Sequence, residues 1–358
     1  MPALIGEFNL SLTEAGMLYS FRGIGMLIAV LFAGMLSDAI GHRKVILSGI
    51  SLWVIGLVIF NTTSSASLAL AIWLLTGIGF GTTDSGLNSL IASTSKNKGS
   101  DLNQLHFWFG VGALCGPLLA GLMITYFNWR LLFTVTIGIM VLYLIYMYSQ
   151  NYPKVARSRV SPWKSLSSIA LQPEMLLLGV IMFCYTGTGT AYIGWINTHL
   201  TRTHHLSNFY ASLVLTLYSA GLAVGRLFVV FISRRLTYAK ILLGGAFLSC
   251  FSASLAVFSH NPIIIGIGFA LTGVFFATLL PTSLALGTKL FPEYTGTVTG
   301  LLIFFGALGR TFLPGLVGVI ADNSGTAIGL QVLLVAIALM TLSAFRLTKL
   351  QLEDDEEM

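Results

Sequence analysis

Long, continuously apolar stretches follow one another along almost the whole chain. Eleven of them approach or exceed the length that an α-helix needs to cross a bilayer, which is about 20 residues. They are apolar without alternation, which excludes the strands of a transmembrane β-barrel. We place them near residues 15–36, 45–61, 67–92, 103–126, 130–149, 174–198, 207–232, 240–259, 262–287, 296–320 and 326–346. The sequence therefore predicts an all-α membrane protein with eleven transmembrane helices.

The composition excludes a water-soluble fold. Only 9% of the 358 residues are charged and 55% are hydrophobic, whereas a soluble domain carries about 25% charged residues. So few charges could not cover the surface of a soluble protein of this size. Cys115, Cys184 and Cys250 each lie in an apolar stretch, so we expect buried free thiols. No metal or other cofactor is expected.

The basic residues predict the orientation in the membrane. A polar connector, residues 150–173, joins two groups of helices, and 14 of the 19 Lys and Arg residues lie in loops on its side. Only Arg130 and Arg202 lie in loops on the opposite side. Because basic loops stay in the cytoplasm, we expect a plasma-membrane protein with a cytoplasmic C-terminus and residue 1 outside. The predicted parts are an N-terminal bundle, 1–149, the linker, 150–173, a C-terminal bundle, 174–346, and an acidic tail, 347–358.

The net charge of +6 is consistent with those cytoplasmic loops. No basic stretch alternates with exposed aromatic residues, so a nucleic-acid partner is not expected. The expected partners are the lipid bilayer and a small-molecule substrate, and we expect a monomer.

The two bundles repeat each other in the same direction, as they do in transporters built from two similar halves. At a shift of 196 or 197 residues, the matched pairs are Gly77 with Gly273, Phe80 with Phe276, Gly112 with Gly309, and Pro117 with Pro314. The stretch 174–198 has no partner in the first half. We therefore expect a twelve-helix architecture whose first helix is missing from this sequence.

A short basic turn follows the first stretch and reads Gly34-Met-Leu-Ser-Asp38-Ala-Ile-Gly41-His-Arg43-Lys44. It resembles the signature loop between helices two and three of the major facilitator superfamily. The resemblance covers the whole chain and implies two helical bundles whose helices are family helices two to twelve. It also implies that Gly34, Asp38, Gly41, Arg43 and Lys44 form a cytoplasmic gate. The alternative is a tight basic turn that only sets the topology.

Two further segments are similar to the fucose–proton symporter branch of that superfamily, whose members mostly carry sugars. They run from Gly77 to Asn88 and from Leu102 to Pro117. In that branch an acidic residue on family helix four precedes an Asn by four positions, as Asp84 precedes Asn88 here. The resemblance implies a secondary active transporter with a co-transported proton. The branch's other coupling carboxylate lies on family helix one.

Four ionisable residues lie inside the predicted helices: Arg22, Asp84, Arg226 and Arg310. A charge at the bilayer centre costs about 2.5–3.5 kcal/mol, so each needs a function or a counter-ion. Asp84 shares a helix face with Asn88 and is interpreted as the carboxylate that couples proton entry to transport. The alternative is a permanent ion pair. Arg310 suits an anion or sugar hydroxyls, or neutralises Asp84. For Arg226 and Arg22, packing or snorkelling is an equal alternative.

Polar aromatic residues complete the candidates. His106 is interpreted as a proton relay or as a hydrated residue at a helix end. Trp108, Tyr185, Tyr192 and Trp195 suit stacking on a sugar ring, although aromatic residues also serve as core or interfacial anchors. The outer histidines His199, His204 and His205 are interpreted as a solvated loop rather than as a metal site.

The sequence contains no metal or nucleophile motif of an intramembrane enzyme and no ATP-binding glycine loop. An intramembrane enzyme and an ATP-driven pump are therefore not expected, and the resemblance implies a proton-coupled carrier that moves a sugar or related small polar solute by alternating access. The alternatives are an efflux transporter for drugs or metabolites, and an inactive, truncated homologue.

Overall fold

The computed structural model describes residues 1–94, 98–152, 169–232, 235–292 and 295–357. Within these ranges the chain forms helices and no strand. The helices are α1 (Pro2–Phe8), α2 (Leu12–Ile40), α3 (His42–Thr62), α4 (Ala66–Thr94), α5 (Lys98–Tyr126), α6 (Trp129–Ser149), α7 (Pro173–Thr203), α8 (Asn208–Ile232), α9 (Tyr238–Phe258), α10 (Pro262–Phe276), α11 (Leu279–Leu290) and α12 (Thr295–Glu357). All eleven predicted stretches are helical, so the prediction of an all-α membrane protein is confirmed.

Eight helical segments of the described residues are long and apolar enough to cross a membrane. The last of them, Thr297–Leu350, contains two predicted stretches. They are separated at Gly325, where φ is 86° and ψ is 158° and the backbone leaves helical geometry. The predicted stretch 262–287 is built from α10 and α11, which meet at a short turn within the span Pro262–Leu290.

The chain divides into two compact units, Met1–Val160 and Ser161–Met358. In unit 1, α4 packs against α2 on one side and α3 on the other. The alternating glycines of its sequence permit this: a Cβ on Gly77 would overlap the carbonyl oxygen of Arg22 in α2, and a Cβ on Gly79 would meet the backbone of Trp53 in α3. Small residues allow such close approach between membrane helices. Asp84 therefore follows, along α4, the segment that packs tightly against α2 and α3.

An aromatic cluster closes the other end of unit 1. Phe60 of α3 lies 5.7 Å from Trp129 of α6 and 5.8 Å from Phe8 of α1, measured between ring centroids. Tilted and edge-to-face pairs at these distances are favourable beyond the area that they bury. They join the short α1 to the ends of α3 and α6.

Unit 2 is built around the contact of α7 with the first half of α12. The Thr186 hydroxyl donates to the carbonyl oxygen of Gly306, and Trp195 Nε1 donates to the carbonyl oxygen of Pro314 at 3.0 Å. These bonds fix the register of α7 along α12.

The repeat partners α5 and α12 differ in packing. A Cβ on Gly309 of α12 would overlap the carbonyl oxygen of Phe183 in α7, whereas Gly112 and Gly116 of α5 have no heavy atom within 4 Å of such a Cβ. Cys115 lies between these two glycines and is exposed. The expectation of a buried thiol is therefore wrong for Cys115, because within the described part of unit 1 no helix covers this face of α5.

The other two cysteines, Cys184 and Cys250, are free thiols as expected, but they differ in burial. Cys184 on α7 is buried, Cys250 on α9 is half-buried, and both are free thiols.

Candidate transport site

The acidic candidate of unit 1 lies on α4 with its predicted neighbour. Asn88 donates a hydrogen bond to Oδ1 of Asp84 at 3.2 Å, and also to the backbone carbonyl of Asp84 at 2.8 Å. The Asp84 side chain is exposed. Residues four apart lie one turn above each other on a helix, so the spacing in the sequence accounts for the contact. The pair places a solvent-accessible carboxylate, oriented by an amide, inside a predicted transmembrane segment.

Arg22 contributes a cation to the same unit. Its guanidinium carbon lies 5.2 Å from the ring centroid of Phe80 and 5.5 Å from that of Trp73, both on α4. Aromatic faces attract a cation within about 6 Å. These contacts favour the packing interpretation of Arg22, because the two rings occupy the sides of its guanidinium group.

In unit 2 the two predicted arginines converge on one phenol. The Tyr185 hydroxyl of α7 lies near the guanidinium groups of Arg226 and Arg310. Arg226 of α8 is exposed and Arg310 of α12 is half-buried. Tyr185 itself is 9% exposed, and its ring packs edge-to-face on Phe276 at 5.5 Å. Three separate helices therefore bring two cations and a hydroxyl together.

Sequence reasoning gave Tyr185 only as one aromatic among several. Phe183 and Gly187 lie one turn apart on α7 and meet Gly309 of α12, so Tyr185, two residues from each, lies on the other face of α7. Gly309 precedes Arg310 directly. The repeat of glycines could have indicated which faces of α7 and α12 meet.

The aromatic candidates Tyr192 and Trp195 belong to the core of unit 2. Both are fully buried. Tyr192 packs edge-to-face on Phe269 at 5.3 Å, and the Trp195 indole is held by its bond to the Pro314 carbonyl. Because neither ring offers a face to a solute, the structure favours packing over sugar stacking for both.

Two candidates, His106 and Trp108, lie on α5. Trp108 is 63% exposed. His106 lies on α5, and its side chain is outside the part of the chain that the structure describes.

The predicted gate turn joins α2 to α3 through a single residue. Gly41 has a φ of 88°, a conformation that glycine adopts without the steric cost paid by other residues. Arg43 donates to the backbone carbonyl of Tyr148 at 2.9 Å and lies 5.2 Å from its ring centroid, at the end of α6. Lys44 is exposed. Gly34 and Asp38 lie on α2, and their side-chain surroundings are outside the described residues.

Of the three outer histidines, only His205 is exposed, in the turn that follows α7. His199 is 1% exposed on α7, and its Nδ1 lies 3.2 Å from the hydroxyl of Thr326. The His204 ring packs edge-to-face on His199 at 5.0 Å and is tilted against His260 at 6.0 Å, measured between ring centroids. The interpretation as a solvated loop is therefore wrong for His199, because the last turn of α7 is covered by α12. Among the described residues no three His, Cys, Asp or Glu side chains form a group suited to a metal ion.

The family model of the Major Facilitator Superfamily matches residues 1–199 and again residues 178–356. The chain belongs to the major facilitator superfamily. The double match agrees with the parallel repeat in the sequence. The protein is thus a multi-pass membrane carrier of small molecules and not an enzyme.

Two relatives align with most of this chain. The glucose/mannose transporter GlcP of Bacillus subtilis is 27% identical over 331 residues, which are 88% of this chain and 81% of the relative. The cis,cis-muconate transport protein of Acinetobacter baylyi is 26% identical over 358 residues, which are 93% of this chain and 84% of the relative.

The fold also matches a solved structure of the branch that the α4 and α5 segments resemble. The fucose–proton symporter FucP in its outward conformation aligns with a TM-score of 0.64 and 17% identity, covering 97% of this chain and 93% of that chain. At this identity the match shows a shared fold.

Proposed function

We propose that the protein is a secondary active carrier that moves a sugar or related small polar solute together with protons, by alternating access. The observation that carries the proposal is the accessible Asp84 carboxylate, held by Asn88 inside α4. A charged group inside a membrane helix is costly and marks a substrate or proton pathway. An exposed carboxylate can take up and release a proton, and its amide neighbour keeps it in one orientation.

The relatives support the solute class. One is a glucose/mannose transporter and another is a cis,cis-muconate transport protein. Both solutes are small and polar. Under this proposal the protein works as a monomer in the plasma membrane, with its C-terminus in the cytoplasm.

The test is solute uptake by the purified full chain in proteoliposomes. Labelled hexoses and hexose acids are supplied outside, with an inward proton gradient and, in parallel, with the gradient dissipated by an uncoupler. The proposal expects uptake above the level of empty liposomes and its loss with the uncoupler. Uptake that is unchanged by the uncoupler would contradict proton coupling.

The same vesicles separate the alternatives. Extrusion of a hydrophobic dye without uptake of any polar solute would favour an efflux transporter. A folded protein that neither takes up solute nor exchanges it in counterflow would be an inactive homologue.

A further inference from the structure

Three imidazole rings meet where α7 ends. His204 packs edge-to-face on His199 at 5.0 Å and is tilted against His260 at 6.0 Å, measured between ring centroids. His260 lies in the turn between α9 and α10. Histidine is the side chain whose charge ordinarily changes between about pH 5 and pH 8. This histidine cluster, His199, His204 and His260, therefore joins two parts of unit 2 through groups that can become charged.

The same end of α7 is also held by α12. His199 is 1% exposed, and its Nδ1 lies 3.2 Å from the hydroxyl of Thr326. The hydroxyls of Thr203 and Thr326 are 2.8 Å apart. Thr326 directly follows Gly325, where the backbone of α12 leaves helical geometry. Hydrogen bonds thus hold the end of α7 on the kink of α12, beside the histidine cluster.

The second half of α7 buries several polar atoms that have no hydrogen-bond partner among the described residues. They are the hydroxyls of Thr188, Tyr192 and Thr198, the amide oxygen of Asn197, and Nε2 of His199. A buried polar atom without a hydrogen bond costs free energy, which contact with water would recover. This half of α7 is therefore packed at a cost, and the contacts at its end help to keep it in place.

The groups around the histidine cluster favour its neutral form. Among the described residues, the other charged or titratable groups at this end of unit 2 are Arg202 and His205, next to His204 in the chain, Tyr210 of α8, and Asp322 of α12. Tyr210 donates its hydroxyl to the carbonyl of Pro262 at 2.8 Å. Burial, and then His260 and His205, lower the pKa of His204 from its usual value of 6.5. Asp322, which is exposed, does not reverse this effect.

We propose that the histidine cluster is a second proton-binding site, which controls solute entry from the outer side. The neutral rings pack together and hold the end of α7. A proton on His204 creates a charge in a half-buried position beside two further rings that accept protons, and such surroundings disfavour it. The ring contacts then open and free the second half of α7, so that its buried polar atoms reach water.

This inference rests on the proposed function, whose orientation places the cluster outside the cell. It adds to that function a proton site separate from Asp84. Asp84 lies in unit 1 on α4, whereas the histidine cluster lies in unit 2. Changes at the two sites can therefore be measured separately.

The test is the exchange of labelled for unlabelled glucose by the full chain in proteoliposomes of known orientation. The pH on the outer face of the protein is varied from pH 8 to pH 5 while the pH on the inner face is held constant, and the reverse is done in parallel. We expect the exchange rate to rise as the outer pH falls below about 6.5, by up to about tenfold for each pH unit, because one proton is bound. Acidification of the inner side should not produce this rise.

Variants then locate the response. His204→Asn and His260→Asn remove a ring contact of the cluster and should give a high exchange rate that no longer depends on the outer pH. His205→Asn is the matched control, since His205 is exposed and has a φ of 53°, which Asn tolerates. It should keep the rise. Size-exclusion profiles verify that each variant is folded.

Amide hydrogen exchange of the natural chain tests the release of α7 without any solute. Residues 198–204 should exchange faster as pH falls below about 6.5, once corrected for the intrinsic rate, while residues 180–187 of the first half of α7 stay protected.

The outcomes separate the two proposals. If residues 198–204 stay equally protected, or if His204→Asn keeps the full rise in glucose exchange, the histidine cluster is not the control site, while proton-coupled transport stands. If the folded natural chain moves no hexose at any pH although residues 198–204 open in acid, the proposed function fails, and the cluster has no solute entry to control.

Discussion

Asn88 contacts both the carboxylate and the backbone carbonyl of Asp84, at 3.2 Å and 2.8 Å. The amide is thereby fixed to its own helix and cannot turn away when the carboxylate changes its protonation state. The contact between Asp84 and Asn88 is therefore made within α4. A carboxylate with such a companion can gain and lose a proton without losing its position.

Replacement of Asp84 by Asn tests the coupling. The amide keeps the size and hydrogen-bonding capacity of the side chain but cannot bind or release a proton. We expect Asp84→Asn to lose solute accumulation driven by a proton gradient and to retain exchange of labelled for unlabelled solute in counterflow. Both are measured in proteoliposomes.

Glu174→Gln is the control for that experiment, since it removes a carboxylate from the first turn of α7 in unit 2. It should leave both activities as they are. If Asp84→Asn accumulates solute as well as the natural chain, another group couples the proton.

The helices were predictable from the sequence because each apolar stretch matches the length of a bilayer crossing. Which helices pack against each other, and through which faces, was less predictable. A helix that is apolar on every side gives no contrast from which to read its buried face, and this is why Tyr192 and Trp195 were candidates for stacking. Glycine spacing is the better guide here, as Gly77 and Gly309 show.

The candidate site was predictable only where its residues lie close together in the sequence. Asp84 and Asn88 lie one turn apart, so their contact follows from helical geometry. Tyr185, Arg226 and Arg310 come from three helices, and the histidine cluster comes from α7 and the turn before α10. No spacing along the chain predicts such meetings, because they depend on how the helices pack.

Trp195→Phe tests whether this residue packs or binds. The change removes the buried hydrogen bond from the indole to the carbonyl of Pro314, which costs about 0.5–1.5 kcal/mol. We expect a lower unfolding temperature and an unchanged KM for solute. Trp108→Phe, at an exposed position, should leave the unfolding temperature unchanged. A raised KM in Trp195→Phe without loss of stability would restore the stacking interpretation.

Arg130 joins three elements at the end of unit 1. Its guanidinium donates to Glu7 at 2.8 Å and to the carbonyl of Asn61, and it lies 4.5 Å from the ring of Trp129. The hydrogen bond from Arg130 holds the pKa of Glu7 below its usual value of 4.5. The contact therefore stabilises the folded state above that value and is lost as pH falls below it.

We expect α1 to detach first on acidification. Amide hydrogen exchange of residues 2–8 should accelerate as pH falls below about 4.5, once corrected for the intrinsic rate. In Arg130→Gln the exchange should already be fast at pH 7. Protection of residues 2–8 that is the same in both proteins would show that the aromatic contacts of Phe8 alone hold α1.

His204 gives the outer end of unit 2 its own pH dependence. Burial, and then the neighbours His260 and His205, lower the pKa of His204 from its usual value of 6.5. The unfolded chain thus binds a proton at a higher pH than the folded chain does. Stability is lost as pH falls below 6.5 and continues to fall until the folded pKa is passed.

The measurement is the unfolding temperature of the purified chain between pH 8 and pH 5. His204→Asn should flatten the decline in that window, and Arg202→Gln, two residues earlier, should keep it. An unchanged slope in His204→Asn would assign the decline to another group.

The difference between the repeat partners α5 and α12 is tested by one matched pair of substitutions. Gly309→Ala places a methyl group against the carbonyl oxygen of Phe183, whereas Gly112→Ala places it in open space. We expect Gly309→Ala to destabilise the protein by about 1–3 kcal/mol, the usual cost of overpacking. Gly112→Ala should be neutral or stabilising by up to about 1 kcal/mol, since alanine favours the helix. Unfolding temperatures in detergent compare the two. Equal destabilisation would mean that a helix also packs closely against Gly112 in the membrane, and that the open face of α5 is covered there.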